Sequence, residues 1–292
     1  AYGTSANLRF QTQDPVGQNW SAYYEMLRLH YYNNRLYDEL AARVGGQPES
    51  YVNTQQVVGL RNPTKAAVNV YVATLWPGTL PEALPIDSQD EHLIRAADLL
   101  FGWSNWAQRK QVYARWLPML GDVFLKVATR PDDGPPERVF IELVAPDYVI
   151  ESWTLRDERD YLTRIRVDVP RWRTVGTTKE RRWDVEIWDK ATERATFWSL
   201  TDREHAESLP VDNPQFPRRP VRELPLANIG IDFVPFAHAK FIDDGRPRGA
   251  ALIMDSIDKI HELDRMASSL HQRLYRYNQP DWMLTSARGA DD

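Results

Sequence analysis

Cysteine is absent from the 292 residues. Structural disulfides and thiolate metal sites are thereby excluded, and a reducing or redox-indifferent setting fits. No apolar run is long enough to cross a bilayer, no signal peptide is recognisable, and no membrane partner is expected. Positive charge is not in excess either: 36 Lys and Arg against 41 Asp and Glu leave a formal net charge of −5. A protein that coats nucleic acid by neutralising phosphates is therefore not expected. A surface past which a polyanion slides without sticking is compatible with that balance.

The familiar catalytic signatures are missing too. There is no H-x-x-E-H, no pair of histidines at helical spacing, no P-loop and no Gly-x-Ser-x-Gly. The six histidines (30, 92, 205, 238, 261 and 271) show no ligand spacing, and most of them are expected at the surface or at caps. One constellation suits a metal-dependent enzyme acting on nucleic acid. His238 lies close in sequence to Asp243 and Asp244, and Asp132-Asp133 sits in an earlier turn. Asp-Asp-Gly at both places is also ordinary turn chemistry. Catalytic residues, metal ligands and cofactors are accordingly not expected.

What is present is length, tryptophan and a clear order of patterns. The chain is long enough for a sizeable core in one large domain or two. Its 11 tryptophans suit large subunit interfaces as well as ordinary cores. After a polar arm, helical spacing runs from Trp20 to Val44 and ends at Gly45-Gly46. Asn62-Pro63-Thr64 opens a second helix, stopped by Trp76-Pro77-Gly78. A third helical stretch, Asp87 to about Leu120, has weak points at Gly102 and Pro118 and divides readily in two. Alternation then replaces helical spacing. Val123, Leu125 and Val127 pair across a Pro-Asp-Asp-Gly turn with Val139 to Val144. Tyr161 to Val169, Trp183 to Asp189 and Ala195 to Leu200 continue as strands. Residues 201–232, charged and proline-rich, are expected to be a long loop before a strand at Phe233.

The last third is the most informative. From near Ala250 to Pro280 the apolar residues Ile253, Ile257, Ile260, Leu263, Ala267, Leu270 and Leu274 recur every three or four positions, one stripe on a helix. At about 1.5 Å per residue that helix spans roughly 40 Å. Asp255, Asp258, Glu262 and Arg265 occupy another face. Arg171, Arg173, Arg181 and Arg182 interleave with Trp172 and Trp183 across one hairpin. That mix suits nucleic acid, an acidic partner surface, or internal cation–π packing. Segregated helices and strands make the fold class α+β.

Four segments in this order resemble the portal proteins of tailed bacteriophages, the head-to-tail connectors at one capsid vertex. They are LRNPTKAAVNVYVATLWPG (60–78), VYARWLPMLGDVFLKVATRPD (112–132), IELVAPDYVIESWTLRDERDYLTRIRV (141–167) and DFVPFAHAKFIDDGRPRGAALIMDSIDKIHELDRM (232–266). The last, a Val-Pro strand passing through a Gly loop into a long helix, is the most specific. The resemblance implies a wing over residues 1–247, with 1–121 mainly helical and 122–247 mainly β. It implies a stem helix over 248–280 and the start of a clip-like segment over 281–292. The family's second stem helix, tunnel loop and crown have no counterpart in these residues. It further implies a ring of about twelve copies around double-stranded DNA, with the stem stripe as the oligomer interface and the charged stem face turned toward the DNA channel or the capsid shell. Docking of terminase, of the major capsid or scaffold protein and of a head-tail adaptor is implied too; as a hypothesis of its own, the hairpin of Arg171, Arg173, Arg181 and Arg182 would face outward as a partner surface. Localisation in the virion follows, and ATP hydrolysis would belong to the terminase. Another virion ring or adaptor protein is the alternative within the same class.

Overall fold

The computed structural model describes residues 20–32, 62–75, 88–130, 138–175, 178–217 and 219–278. The expected polar arm, the helix beyond Tyr32, the turn at Asp132-Asp133 and the clip-like segment lie outside them. Six α-helices and two antiparallel sheets make up the described residues, so the chain is α+β. Two units divide it. One is built from Ala1–Arg28 and Ala66–Met254, the other from Leu29–Lys65 and Asp255–Asp292.

The helices begin where local chemistry allows. Helix α1 is Trp20–Tyr32. Helix α2, Pro63–Leu75, starts with proline at its first position, where no amide hydrogen is needed. The Asn62 side chain accepts the Lys65 amide at 2.8 Å and caps the helix. The third stretch is indeed two helices, α3 (Glu91–Trp103) and α4 (Trp106–Leu120). They part at Ser104-Asn105, where Asn105 takes a left-handed φ of 51°. Pro118 is accommodated within the last turn of α4 instead of ending it. Gly121, at φ 85°, closes that helix. A Cβ there would meet the Gly249 oxygen at 2.6 Å, so two backbones cross where only glycine fits.

The first sheet has the order β2-β1-β8. Strand β1 (Asp122–Arg130) pairs with β2 (Arg138–Val144) from Phe124↔Val144 to Arg130↔Arg138. On its other side β1 pairs with β8 (Phe236–Lys240). The second sheet is a meander, β3 (Leu155–Arg156), β4 (Leu162–Val175), β5 (Thr178–Asp189), β6 (Arg194–Leu200) and β7 (Arg222–Pro225). Ile165, Val167 and Trp188 on one face of it join Phe124, Val144, Val234 and Phe236 in the main core. Val185 and Ile187, on the opposite face of β5, pack with Trp153 and Leu200 in a second cluster. Both faces of the meander are therefore covered, which period-2 alternation alone does not reveal.

The expected loop over 201–232 is not one. It holds helix α5 (Asp202–Ser208), β7 and a turn of 3₁₀ helix at Leu226–Ile229. Thr201 and Glu204 form a capping box at the start of α5. The prolines obscured these elements because each is short, and a proline is tolerated on an edge strand such as β7.

The long helix begins later than its apolar spacing suggested. Residues Met254–Ser256 form a 3₁₀ turn, and the α-helix proper, α6, is Ile257–Asn278. Its 22 residues span about 33 Å at 1.5 Å each.

Candidate functional site

Three places concentrate chemistry. Within the sheet unit, Arg248 is 2% exposed and every nitrogen of it is engaged. Its Nε donates to Glu151 at 2.6 Å, and Nη2 donates to the Val149 carbonyl at 2.9 Å. Nη1 donates to the Pro146 carbonyl and to the Tyr24 hydroxyl. The guanidinium also lies over the Phe124 ring, 4.9 Å from its centroid. Beside it the fully buried Asp122 accepts from Tyr24 (2.6 Å), from the His238 ring (2.7 Å) and from the Gly249 amide (2.8 Å). Burial raises the Glu151 carboxyl, but Arg248 and Arg156 outweigh it and hold its pKa below the ordinary value. Burial pushes His238 down, against the pull of Asp122. The Arg248 and Asp122 cluster ties residues from opposite ends of the sequence to the start of β1.

A second buried cluster lies on the far face of the meander. Arg166, fully enclosed, forks onto Asp168 through Nε and Nη2 at 2.8 Å each. It also donates to the carbonyl and hydroxyl of Ser208. Trp153 and Phe216 rings flank the guanidinium at 5.1 and 5.4 Å. His205 bonds Asp168 at 2.7 Å. Serine, histidine and aspartate thus meet, but not as a nucleophilic triad. The Ser208 hydroxyl donates to the His205 backbone carbonyl, not to its ring, and is wholly buried.

The third place is α6. Ile253 and Ile257 are buried and so is Ile260, together with Asp264 and Ser268. Ala267 is half-buried. Leu263 (59%), Met266 (64%), Leu270 (59%) and Leu274 (54%) are exposed. At about 100° per residue the exposed leucines lie roughly 120° around the helix from the buried face. The expected single stripe is therefore two. Ile253, Ile257 and Ile260 are covered within the chain, whereas Leu263, Leu270 and Leu274 are exposed. Met266 and the buried polar pair were missed. Asp255, Asp258, Glu262 and Arg265 all lie exposed, as their face of the helix required. His30 and His261 meet Nε2 to Nε2 at 2.9 Å with stacked rings. Burial, then the nearby His30 and Arg265, lower the His261 pKa to about 4.

The four arginines of the hairpin stand where the sequence put them, on paired strands. Arg171 faces Arg182 and Trp172 faces Arg181. Arg171 and Arg173 both reach Asp184, Arg181 reaches Asp202, and Arg182 reaches Glu180. The His238–Asp243–Asp244 constellation does not assemble. His238 is turned inward to Asp122, while Asp243 and Asp244 are turn residues that accept the Gly245 and Arg246 amides. Among the described residues no group of three or more His, Cys, Asp or Glu is placed to hold a metal ion. The expectation of surface histidines is corrected at His30, which is buried, at His238, whose side chain is 2% exposed, and at His205 and His261, which are half-buried.

No family model matches the chain. A 61-residue stretch is 36% identical to a protein of Stachybotrys chartarum named for a proposed O-acetyltransferase activity. The match covers 20% of this chain and 13% of that protein.

Proposed function

We propose that this chain is a portal subunit of a tailed bacteriophage. In this proposal copies of α6 pack side by side through Leu263, Leu270 and Leu274 around a DNA channel. The observation that carries it is the exposed stripe. Four large apolar side chains, each more than half exposed, lie on one side of a 22-residue helix whose other apolar face is already covered. Such a stripe marks a contact with another surface. Heterologous contacts between identical copies close into a ring when the rotation allows it. About twelve copies, a capsid-vertex location, and docking of terminase, capsid or scaffold protein and a head-tail adaptor belong to the same proposal. Asp255, Asp258 and Glu262 would give the channel an acidic lining that duplex DNA passes without adhering. The test is native mass spectrometry with negative-stain imaging of the purified chain, expected to give closed rings with a central hole. A chain that stays monomeric at high concentration would remove the proposal.

A further inference from the structure

Strands β4 and β5 run past the rest of their sheet. Strand β6 leaves β5 at Trp183↔Leu200, and the partners of β4 on its other side end at Val167. Beyond those points, Pro170 to Val175 pair only with Thr178 to Trp183. Among the described residues neither edge is paired over the outer five, Arg171 to Val175 and Thr178 to Arg182, which at about 3.3 Å each extend roughly 17 Å. Pro170 stands where the outer edge becomes free, a position at which the missing amide hydrogen costs no ladder bond. A two-stranded ribbon is marginal on its own in water. This one carries Trp172, 72% exposed, near its end.

The charge of the ribbon runs against that of the molecule. Residues 170–182 hold five cations, Arg171, Arg173, Lys179, Arg181 and Arg182, and one acid, Glu180. That is +4 in a chain of −5, so the remainder carries −9. Three carboxylates, Asp184, Asp202 and Glu180, serve the four arginines. Arg171 and Arg173 keep 64% and 53% of their side chains exposed while sharing Asp184. Exposed pairs of this kind are weak and exchange readily for a better partner.

We infer that the ribbon docks on the acidic body of a second copy of this chain, Trp172 supplying the apolar anchor and the arginines the orientation. Every copy brings net charge of the opposite sign, because the rest of the chain carries a formal −9 against the +4 of the ribbon. This inference rests on the self-assembly proposed above and adds a second, salt-sensitive contact to that of the helix stripe. Charged contacts at the surface are screened within about 3 Å at 1 M salt but reach about 10 Å at 0.1 M.

The experiment measures self-association of three proteins by sedimentation at low and high NaCl. They are the wild type, the Arg171→Ser/Arg173→Ser/Arg181→Ser/Arg182→Ser variant, and Trp172→Ala. Wild-type association is expected to weaken about tenfold or more as salt rises, and the four-serine variant to start about tenfold weaker with little salt dependence left. Trp172→Ala, at a position 72% exposed, is expected to weaken association while keeping the salt dependence. A four-serine variant that assembles with wild-type affinity and wild-type salt dependence overturns the docking and leaves the helix stripe standing. A wild type that is monomeric at every salt overturns both. Loss of binding to a short DNA duplex, with self-association unchanged, would assign the ribbon to nucleic acid and overturn the second copy as its occupant.

Discussion

Arg166 and Arg248 are enclosed among partners that satisfy them, while Leu263, Met266, Leu270 and Leu274 stand out from α6 into solvent. The sheet unit thus buries two of its arginines, and the long helix leaves four large apolar side chains uncovered. A guanidinium is taken out of water only where its donors find fixed acceptors. That condition holds around Arg248 through Glu151, Pro146, Val149 and Tyr24. Burying a leucine or methionine side chain contributes about 1.5–3 kcal/mol, so three leucines and one methionine left exposed are stabilisation still open to a contact. The contrast teaches that the sheet unit satisfies its buried charges within one chain, whereas α6 keeps an apolar face in solvent, the face that the proposed assembly would cover.

The contrast breaks first if the enclosed charges are not needed. Arg248→Met should cost about 3–5 kcal/mol, because Glu151 and Asp122 keep their burial and lose a cation. The midpoint of urea unfolding reads this directly, and a loss under 1 kcal/mol would mean that water reaches the cluster. Gly121→Ala should cost roughly 2–4 kcal/mol, from a positive φ and from overlap with the Gly249 backbone. A crossing that tolerates alanine would show that the two backbones are not held together.

Acid sharpens the comparison on the side of the helix unit. The His261 pKa is lowered to about 4 from 6.5, so the unfolded chain binds the proton first. Stability is therefore full above about pH 6.5 and falls as pH drops toward 4, by roughly 2–3 kcal/mol. The depressed pKa of His238 acts with the same sign. His261→Gln should flatten that part of the profile, as measured by urea unfolding at pH 7 and pH 4.5. An unchanged slope would place the acid sensitivity elsewhere. The smallest effect expected is at the ribbon. Arg173→Gln should change the stability of the single chain by under about 1 kcal/mol, since its pair with Asp184 is exposed. A larger loss in thermal unfolding would show that the ribbon is part of the folded core.

Much of the fold was legible because the underlying physics is local. Asn62-Pro63 marks a helix start, alternation from Val123 to Val127 marks a strand, and Gly121-Asp122 marks the change between the two periods. The two charged clusters were not legible. Arg166 and Asp168 alternate with Ile165 and Val167 exactly as a solvated face would, and only the covering α5 and Phe216 make that face interior. His238 looked like a partner for Asp243 because they are close in sequence, yet strand β8 turns it toward Asp122, 116 residues away. The helix stripe was legible as a period but not as two faces, since the spacing of Ile257, Ile260, Leu263 and Leu270 does not say which side meets its own chain. The capping box Thr201–Glu204 was a signal in plain view, masked by the prolines that follow.

The most direct test compares the assembly and the stability of Leu270→Asp with those of the wild type. The wild type should form closed rings of about a dozen copies by native mass spectrometry. Leu270→Asp should abolish them while shifting the unfolding of the single chain by no more than about 0.5 kcal/mol, as a solvent-facing substitution does. Rings that form normally from Leu270→Asp, or a wild type that remains monomeric, would contradict the account.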